Sequence, residues 1–80
     1  MDREIVWLRK KIDNIDRQIM DLLKERFRVV KKLVGYKKSK RIAVEDKIRE
    51  REIKERYVQQ GFSKKFIDGF FGLMFNKVKK

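Results

Sequence analysis

Two charged residues occupy positions where the sequence pattern predicts apolar side chains. Apolar residues recur at alternating spacings of three and four along the N-terminal half: Ile5, Leu8, Ile12, Ile15, Ile19, Leu22, Val29, Leu33 and Tyr36. The same spacing predicts an apolar residue where Arg26 stands, and Glu50 shares a stripe with Ile53 and Tyr57. Because a buried charge is costly unless an opposite charge meets it, Arg26 either pairs with a carboxylate of the protein, such as Glu50, or belongs to a site for an anionic ligand.

Three further cations accompany this pair. Arg9 and Lys37 take equivalent heptad positions beside the apolar seam, and Arg49 lies next to Glu50. The chain contains no Cys and no His, so it lacks a thiol nucleophile, the usual general base near neutral pH and the commonest metal ligand. If these charges do not simply neutralise one another, the candidate site is one that binds and orients an anion, and we expect no metal or other cofactor.

A long first helix must position these charges. The spacing predicts a helix from about Arg3 to Lys38, which would extend about 50 Å. A compact domain of this size has a radius of gyration of only about 12 Å. Its own chain cannot cover such a helix, so we expect a homodimer in which the long helices pack together.

The rest of the chain predicts two shorter helices within a single all-α domain, residues 1–80. A polar loop from Lys38 to Val44 precedes a helix that Asp46 or a neighbour caps and that ends near Gln60, with Gly61 just beyond its end. Ser63 is expected to cap the third helix. One face of that helix is predicted to be core: Phe66, Ile67, Phe70, Phe71, Met74 and Val78.

The charge balance is strongly basic, with 24 Lys and Arg against 12 Asp and Glu. From Lys24 to Arg41 there are nine basic residues and one acid. This excess favours anionic partners such as nucleic acid, acidic lipid or a small polyanion, although a charged thermophile surface would look similar. The absence of a membrane span and of a signal peptide predicts a soluble protein of the cytoplasm.

The ordered set of motifs resembles the all-helical chorismate mutase family. The resemblance is carried by Leu8–Asp16 (LRKKIDNID), Leu22–Arg26 (LLKER), Val34–Lys37 (VGYK), Val44–Asp46 (VED), Arg49–Glu52 (RERE), Gly61-Phe62 and Phe71. It implies three helices per chain in an intertwined homodimer with two active sites. It also implies the rearrangement of chorismate to prephenate, a step toward Phe and Tyr. By position, Arg26, Lys37, Asp46, Arg49 and Glu50 would line one site, which Arg9 of the partner chain would complete.

Chorismate chemistry suits these residue types. A pericyclic rearrangement needs no nucleophile, metal or proton shuttle. The guanidiniums of Arg9 and Arg26 would hold the two carboxylates, and Lys37 would meet the negative charge that grows on the ether oxygen. Glu50, with the Asp46 backbone, would take the substrate hydroxyl, while Arg49 would contact a carboxylate or orient Glu50.

The last helix departs from the family pattern. The family usually has a small polar residue there and a Gln or Glu four positions later. If the match is aligned on Phe71, the small polar position falls on Val78 and the Gln or Glu position would be 82, past the last residue of the sequence. If it is aligned on Phe70, the first position falls on Lys77 and the second is still missing. We therefore expect a weak mutase, or a relative that has given up catalysis.

Two alternatives remain open from sequence. One is a non-catalytic chorismate binder or an isochorismate-pyruvate lyase with the same fold. The other is a basic helical dimer that binds nucleic acid through Lys24 to Arg41. Nucleic acid is the less favoured partner, because Arg26, Lys37 and Glu50 are placed inward or at an edge.

Overall fold

Three α-helices make up the described part of the chain. The computed structural model describes residues 2–79, with side chains from residue 2 to residue 76. The helices are α1 (Arg3–Ser39), α2 (Lys47–Gln59) and α3 (Lys64–Lys79), and residues 2–79 contain no strand. The prediction of one long and two shorter helices is confirmed.

The start of each helix is fixed by a polar side chain that accepts backbone hydrogen bonds. Asp2 Oδ1 accepts from the N–H groups of Glu4 and Ile5, at 2.8 and 3.3 Å. Ser63 Oγ accepts from the Phe66 N–H at 3.1 Å. Both are N-caps, which satisfy donors that the first helical turn leaves without partners. The predicted cap at Ser63 is confirmed, and the Asp46 cap of α2 is described with the site.

α1 and α2 end in the same hydrogen-bonding motif. After α2, the Phe62 N–H donates to the Tyr57 carbonyl and the Gly61 N–H to that of Val58, at 3.2 and 3.0 Å. Gly61 has a positive φ of 106°, which confirms its predicted position just beyond the helix. The Tyr57 and Phe62 rings meet edge to face with their centroids 6.5 Å apart, the apolar contact that usually accompanies this ending.

After α1, a non-glycine residue takes the corresponding left-handed position. The Ile42 N–H donates to the Lys37 carbonyl at 2.8 Å, and the Arg41 N–H to the Lys38 carbonyl at 3.2 Å. Arg41 has φ of 58°. A side chain makes this conformation unfavourable, so the loop after α1 is strained where the loop after α2 is not.

The chain divides into two compact units, residues 1–31 and residues 32–80. From Arg3 onward the first unit is part of α1. None of the residues of α1 is buried, and its predicted apolar seam is exposed along its length. An apolar stripe of this length in contact with water is unfavourable.

The core of the second unit lies between α2 and α3. Ile53, Ile67 and Phe71 form a buried cluster, against which Tyr57 stacks on Phe71 with 5.5 Å between ring centroids. Met74 is also buried. An ion pair between Lys54 Nζ and Asp68 Oδ1, at 3.7 Å, joins the two helices at the edge of this core.

The predicted apolar face of α3 is wrong at one residue. Ile67 is 3% exposed, but Phe66 is 56% exposed. Adjacent residues on a helix differ by about 100° in direction, so Phe66 and Ile67 cannot both face α2. The side chain of Val78, which the same prediction included, lies outside the described residues.

Within residues 2–79, no helix is long and apolar enough to cross a membrane.

Candidate functional site

The charged residue of the α1 seam differs in exposure from its apolar neighbours. Arg26 is half-buried, whereas Leu22 and Val29 on the same stripe are exposed. Arg26 also makes a contact with another group of the protein. A guanidinium binds a carboxylate through paired hydrogen bonds, so Arg26 is the seam residue whose chemistry suits a carboxylate partner.

Arg9 lies on the same helix but far from Arg26. Both belong to the first unit, and a separation of seventeen positions corresponds to about 25 Å along the axis. This distance exceeds what two extended arginine side chains can span. Arg9 is exposed. The two arginines of one chain therefore cannot hold the same small ligand.

The other four candidate residues belong to the second unit. Asp46 is the N-cap of α2: its Oδ1 accepts a hydrogen bond from the Arg49 N–H at 3.0 Å. Its backbone carbonyl accepts from the Glu50 N–H at the same distance. Asp46, Arg49 and Glu50 are thus brought together in the first turn of α2 by the cap itself.

Glu50 points to the same side of α2 as the core residues of that helix. It is half-buried, as is Tyr57, and Ile53 between them is buried. This arrangement confirms the predicted stripe. Glu50 has a contact within the protein, and its position in the first turn places a carboxylate at the positive end of the helix dipole. Arg49, beside it, is exposed.

Lys37 lies in the last turn of α1 and is half-buried. Its backbone carbonyl accepts the Ile42 N–H in the motif that ends the helix. This hydrogen bond fixes the backbone of Lys37. The chemistry of its ammonium group suits negative charge on an anion.

Charge and residue type restrict the chemistry of these groups. Among the described residues, no cluster of three or more Asp and Glu side chains is placed to hold a metal ion. What the candidate residues offer is guanidinium and ammonium donors together with one carboxylate acceptor. The chemistry of these groups suits an anionic ligand that also carries a hydroxyl group.

The structure also reveals an apolar groove on α3 that the sequence analysis missed. It has a volume of about 530 Å³ and is open to solvent; its lining residues are Ser63, Lys65, Phe66, Gly69, Phe70 and Leu73. Phe62, Phe66 and Phe70 stack along it, with centroids 6.2 and 5.9 Å apart. The four-residue spacing of these phenylalanines is a signal, separate from the Ile67–Phe71 core stripe, that would have indicated this second apolar face.

The family model of chorismate mutase type II matches residues 8–80. The chain belongs to this family. The match covers all six candidate residues, from Arg9 to Glu50, and continues through α3. Neither the curated proteins nor the solved structures contain a match to the chain. Membership of the chorismate mutase family supports a function of chorismate mutase type, with chorismate as the implied substrate, and agrees with the all-helical fold.

Proposed function

We propose that the protein is a homodimeric chorismate mutase, in which residues 1–80 form one domain and two chains share each active site. One observation carries the proposal: Arg9 and Arg26 are about 25 Å apart along a single helix, so one small substrate can contact both only if they come from different chains. The exposed apolar seam of α1 supplies a surface through which two copies would pack.

In this site the arginines act on the substrate carboxylates. Arg26 of one chain and Arg9 of the other would hold the two carboxylates and fix the enolpyruvyl group over the ring. Restricting a flexible substrate to its reactive conformation lowers the activation barrier, because the conformational entropy is lost when the substrate binds and not when it reaches the transition state. Arg49 would contact a carboxylate or orient Glu50, in keeping with its place in the first turn of α2.

The remaining groups act at the breaking bond and at the hydroxyl. Lys37 would donate to the ether oxygen, where negative charge grows as the carbon–oxygen bond breaks and the new carbon–carbon bond forms. Glu50 would accept the substrate hydroxyl. Asp46 would contribute through its backbone, because its carboxylate is already engaged in capping α2.

The proposed activity is weaker than that of a site with a second donor at the ether oxygen. At the position where the family usually has a small polar residue, this chain has Val78 if the match is aligned on Phe71 and Lys77 if it is aligned on Phe70, and neither is a small polar residue. Loss of one such donor typically lowers the rate by about 10²–10³. The same observation favours a second candidate, a protein of this fold that binds chorismate without turning it over.

The deciding experiment is to incubate the purified protein with chorismate and to identify the product by NMR. We expect prephenate to form faster than in buffer. The Arg26→Ala variant should lose both turnover and chorismate binding while remaining folded, because it removes a half-buried cation that is costly to desolvate. Binding without turnover would identify the second candidate. Unchanged turnover in Arg26→Ala, together with strong destabilisation, would assign Arg26 a purely structural role.

Sharing of the site between chains has its own test. Arg9→Ala and Lys37→Ala each inactivate both sites of a homodimer. A heterodimer of the two variants contains one intact site, so mixed subunits should regain activity. A lack of recovery in heterodimers verified by native mass spectrometry would contradict the assignment of Arg9 to the partner chain.

A further inference from the structure

Cations occur at every seventh residue of the first unit. They are Arg3, Lys10, Arg17, Lys24 and Lys31, and all five are exposed. The apolar seam that includes Ile12 and Ile15 also repeats every seven residues. A heptad places the cationic positions on the side of α1 opposite that seam, so they form a ridge that stays outward when the seam is covered.

Few acidic groups neutralise this ridge. Among the side chains of residues 2–76, none of the five ridge cations forms an ion pair. Residues three or four positions away are their nearest neighbours on the helix. By this spacing Asp13 neighbours Lys10 and Arg17, and Asp21 neighbours Arg17 and Lys24, whereas Arg3 and Lys31 have no acidic neighbour. The two ends of the ridge therefore keep their positive charge.

A single aromatic residue lies beside the ridge near its N-terminal end. Trp7, the only Trp in the chain, lies four residues after Arg3 and three before Lys10, and it is 52% exposed. The Lys11 ammonium lies 4.4 Å from its ring centroid. Trp7 is not on the apolar seam, so pairing of two chains through that seam gives no reason for a large aromatic residue here.

We propose that this ridge binds single-stranded nucleic acid, with the cations contacting phosphates and a base stacking on Trp7. Proteins that bind single strands without sequence preference combine cations that follow the phosphates with exposed aromatic residues on which bases stack. Successive cations are about 10.5 Å apart, and the ridge extends about 42 Å. It contains none of the residues assigned to the candidate active site, so this binding is independent of the proposed mutase activity.

The ridge winds only slowly around α1, by about 20° per seven residues, and this favours a single strand over a duplex. On a duplex, the backbone winds much faster around the axis, and a row of cations with so little twist meets it only where a strand crosses. A flexible single strand can follow the whole row. Adsorption to a lipid surface is less favoured, because a helix that lies on a membrane inserts apolar side chains, and the apolar seam of α1 is on the opposite side.

The first test measures fluorescence anisotropy with a labelled oligouridylate over a range of salt concentrations. In the ridge variant, Lys10, Arg17, Lys24 and Lys31 are all replaced by Gln. The control variant carries Arg51→Gln, Arg56→Gln, Lys64→Gln and Lys65→Gln, which remove the same charge from exposed positions on α2 and α3. Far-UV circular dichroism checks that both variants keep their helix content.

We expect the ridge variant to bind at least about tenfold more weakly than the control. The slope of log affinity against log salt should fall by about 0.7 for each phosphate that the variant no longer neutralises. Equal weakening in both variants would show that net charge alone is responsible and would overturn the proposal. Equal or tighter binding to a DNA duplex, or to phosphatidylserine vesicles, would also overturn it.

A second test addresses the stacking of a base on Trp7. Binding of oligouridylate should quench the fluorescence of Trp7. Trp7→Leu should weaken binding about tenfold by removing the ring, whereas Met20→Leu, at another exposed position beside the ridge, should leave the affinity unchanged. An unchanged affinity in Trp7→Leu, or an unquenched Trp7 in the saturated complex, would remove Trp7 from the proposed site.

Discussion

The Asp46 carboxylate accepts a hydrogen bond from the Arg49 backbone N–H at 3.0 Å. This bond ties the loop before α2 to the turn that carries Arg49 and Glu50. It also occupies one oxygen of the carboxylate, which limits what Asp46 can offer a ligand. The cap therefore positions two candidate site residues, and its effect on stability can be separated from its effect on binding.

Replacement of Asp46 by Ala should lower the free energy of unfolding by about 1 kcal/mol, because the first turn of α2 loses its cap. Asp46→Asn should keep most of that stability, since the amide oxygen also caps. Urea denaturation of both variants gives the comparison. If Asp46→Asn also keeps the affinity for chorismate, the carboxylate charge has no part in binding; a large loss of affinity at unchanged stability would instead assign it a direct contact.

Arg41 should be replaceable by Gly with a gain in stability. Arg41 has a φ of 58° in the motif that ends α1, whereas Gly61 occupies the equivalent place after α2. A left-handed conformation costs a non-glycine residue about 1–2 kcal/mol, and the greater freedom of Gly in the unfolded chain offsets part of this gain. We expect Arg41→Gly to stabilise by about 1 kcal/mol in thermal or urea unfolding.

Two further variants separate backbone strain from the charge of Arg41. Arg41→Ala removes the cation but keeps the side-chain strain, so it should not reproduce the stabilisation. Gly61→Ala should destabilise the protein, because a φ of 106° is unfavourable for Ala. An added Cβ would meet nothing within 4 Å, so this variant measures the effect of the backbone conformation alone. A gain in Arg41→Ala equal to that in Arg41→Gly would attribute the effect to charge.

The exposed seam of α1 predicts that a single Lys on it blocks assembly. Ile15 lies on the seam and is 53% exposed in the chain, while Met20 lies off the seam and is 55% exposed. Judged by exposure alone, Ile15→Lys and Met20→Lys should be tolerated equally. If two copies pack through the seam, only Ile15→Lys should shift the protein to monomers and lower its melting temperature, as measured by light scattering and circular dichroism. Equal behaviour of the two variants would contradict a seam interface.

Gly35 provides an independent test of whether a second copy of the chain packs against α1. An added Cβ at this helical position meets nothing within 4 Å in the chain, and Gly weakens a helix interior by about 0.5–1 kcal/mol relative to Ala. Gly35→Ala should therefore raise the free energy of unfolding by about that amount. A destabilised variant would mean that another copy of the chain lies against Gly35 in the assembled protein.

The helices and their caps could be predicted from sequence because their signals are local. Asp46, Gly61 and Ser63 act on residues within a few positions of themselves, and the alternating apolar spacing of α1 is a property of the helix alone. The strain at Arg41 could not be predicted, since no residue type marks a left-handed Arg in advance.

The candidate site was predictable in residue type rather than in geometry. Arg26 and Glu50 stood out because they interrupt apolar stripes, and both are half-buried. Phe66 was assigned to the wrong face of α3, because a run of apolar residues wider than one face leaves open which of them meets α2. The proposed pairing of Arg9 with Arg26 would depend on a second chain, and a pattern within one chain does not specify the partner's register.

The confinement of the buried core to α2 and α3 has a kinetic consequence. These helices are neighbours in sequence, joined by a short turn, so their pairing closes only a small loop and should be fast, on the order of microseconds to milliseconds. In the proposed dimer, the exposed seam of α1 would gain its apolar contacts when two chains meet, and subunit association depends on concentration. Refolding should therefore show a rapid first-order phase followed by a second-order phase. The time that a newly made chain spends with its seam uncovered would then depend on the concentration of other copies.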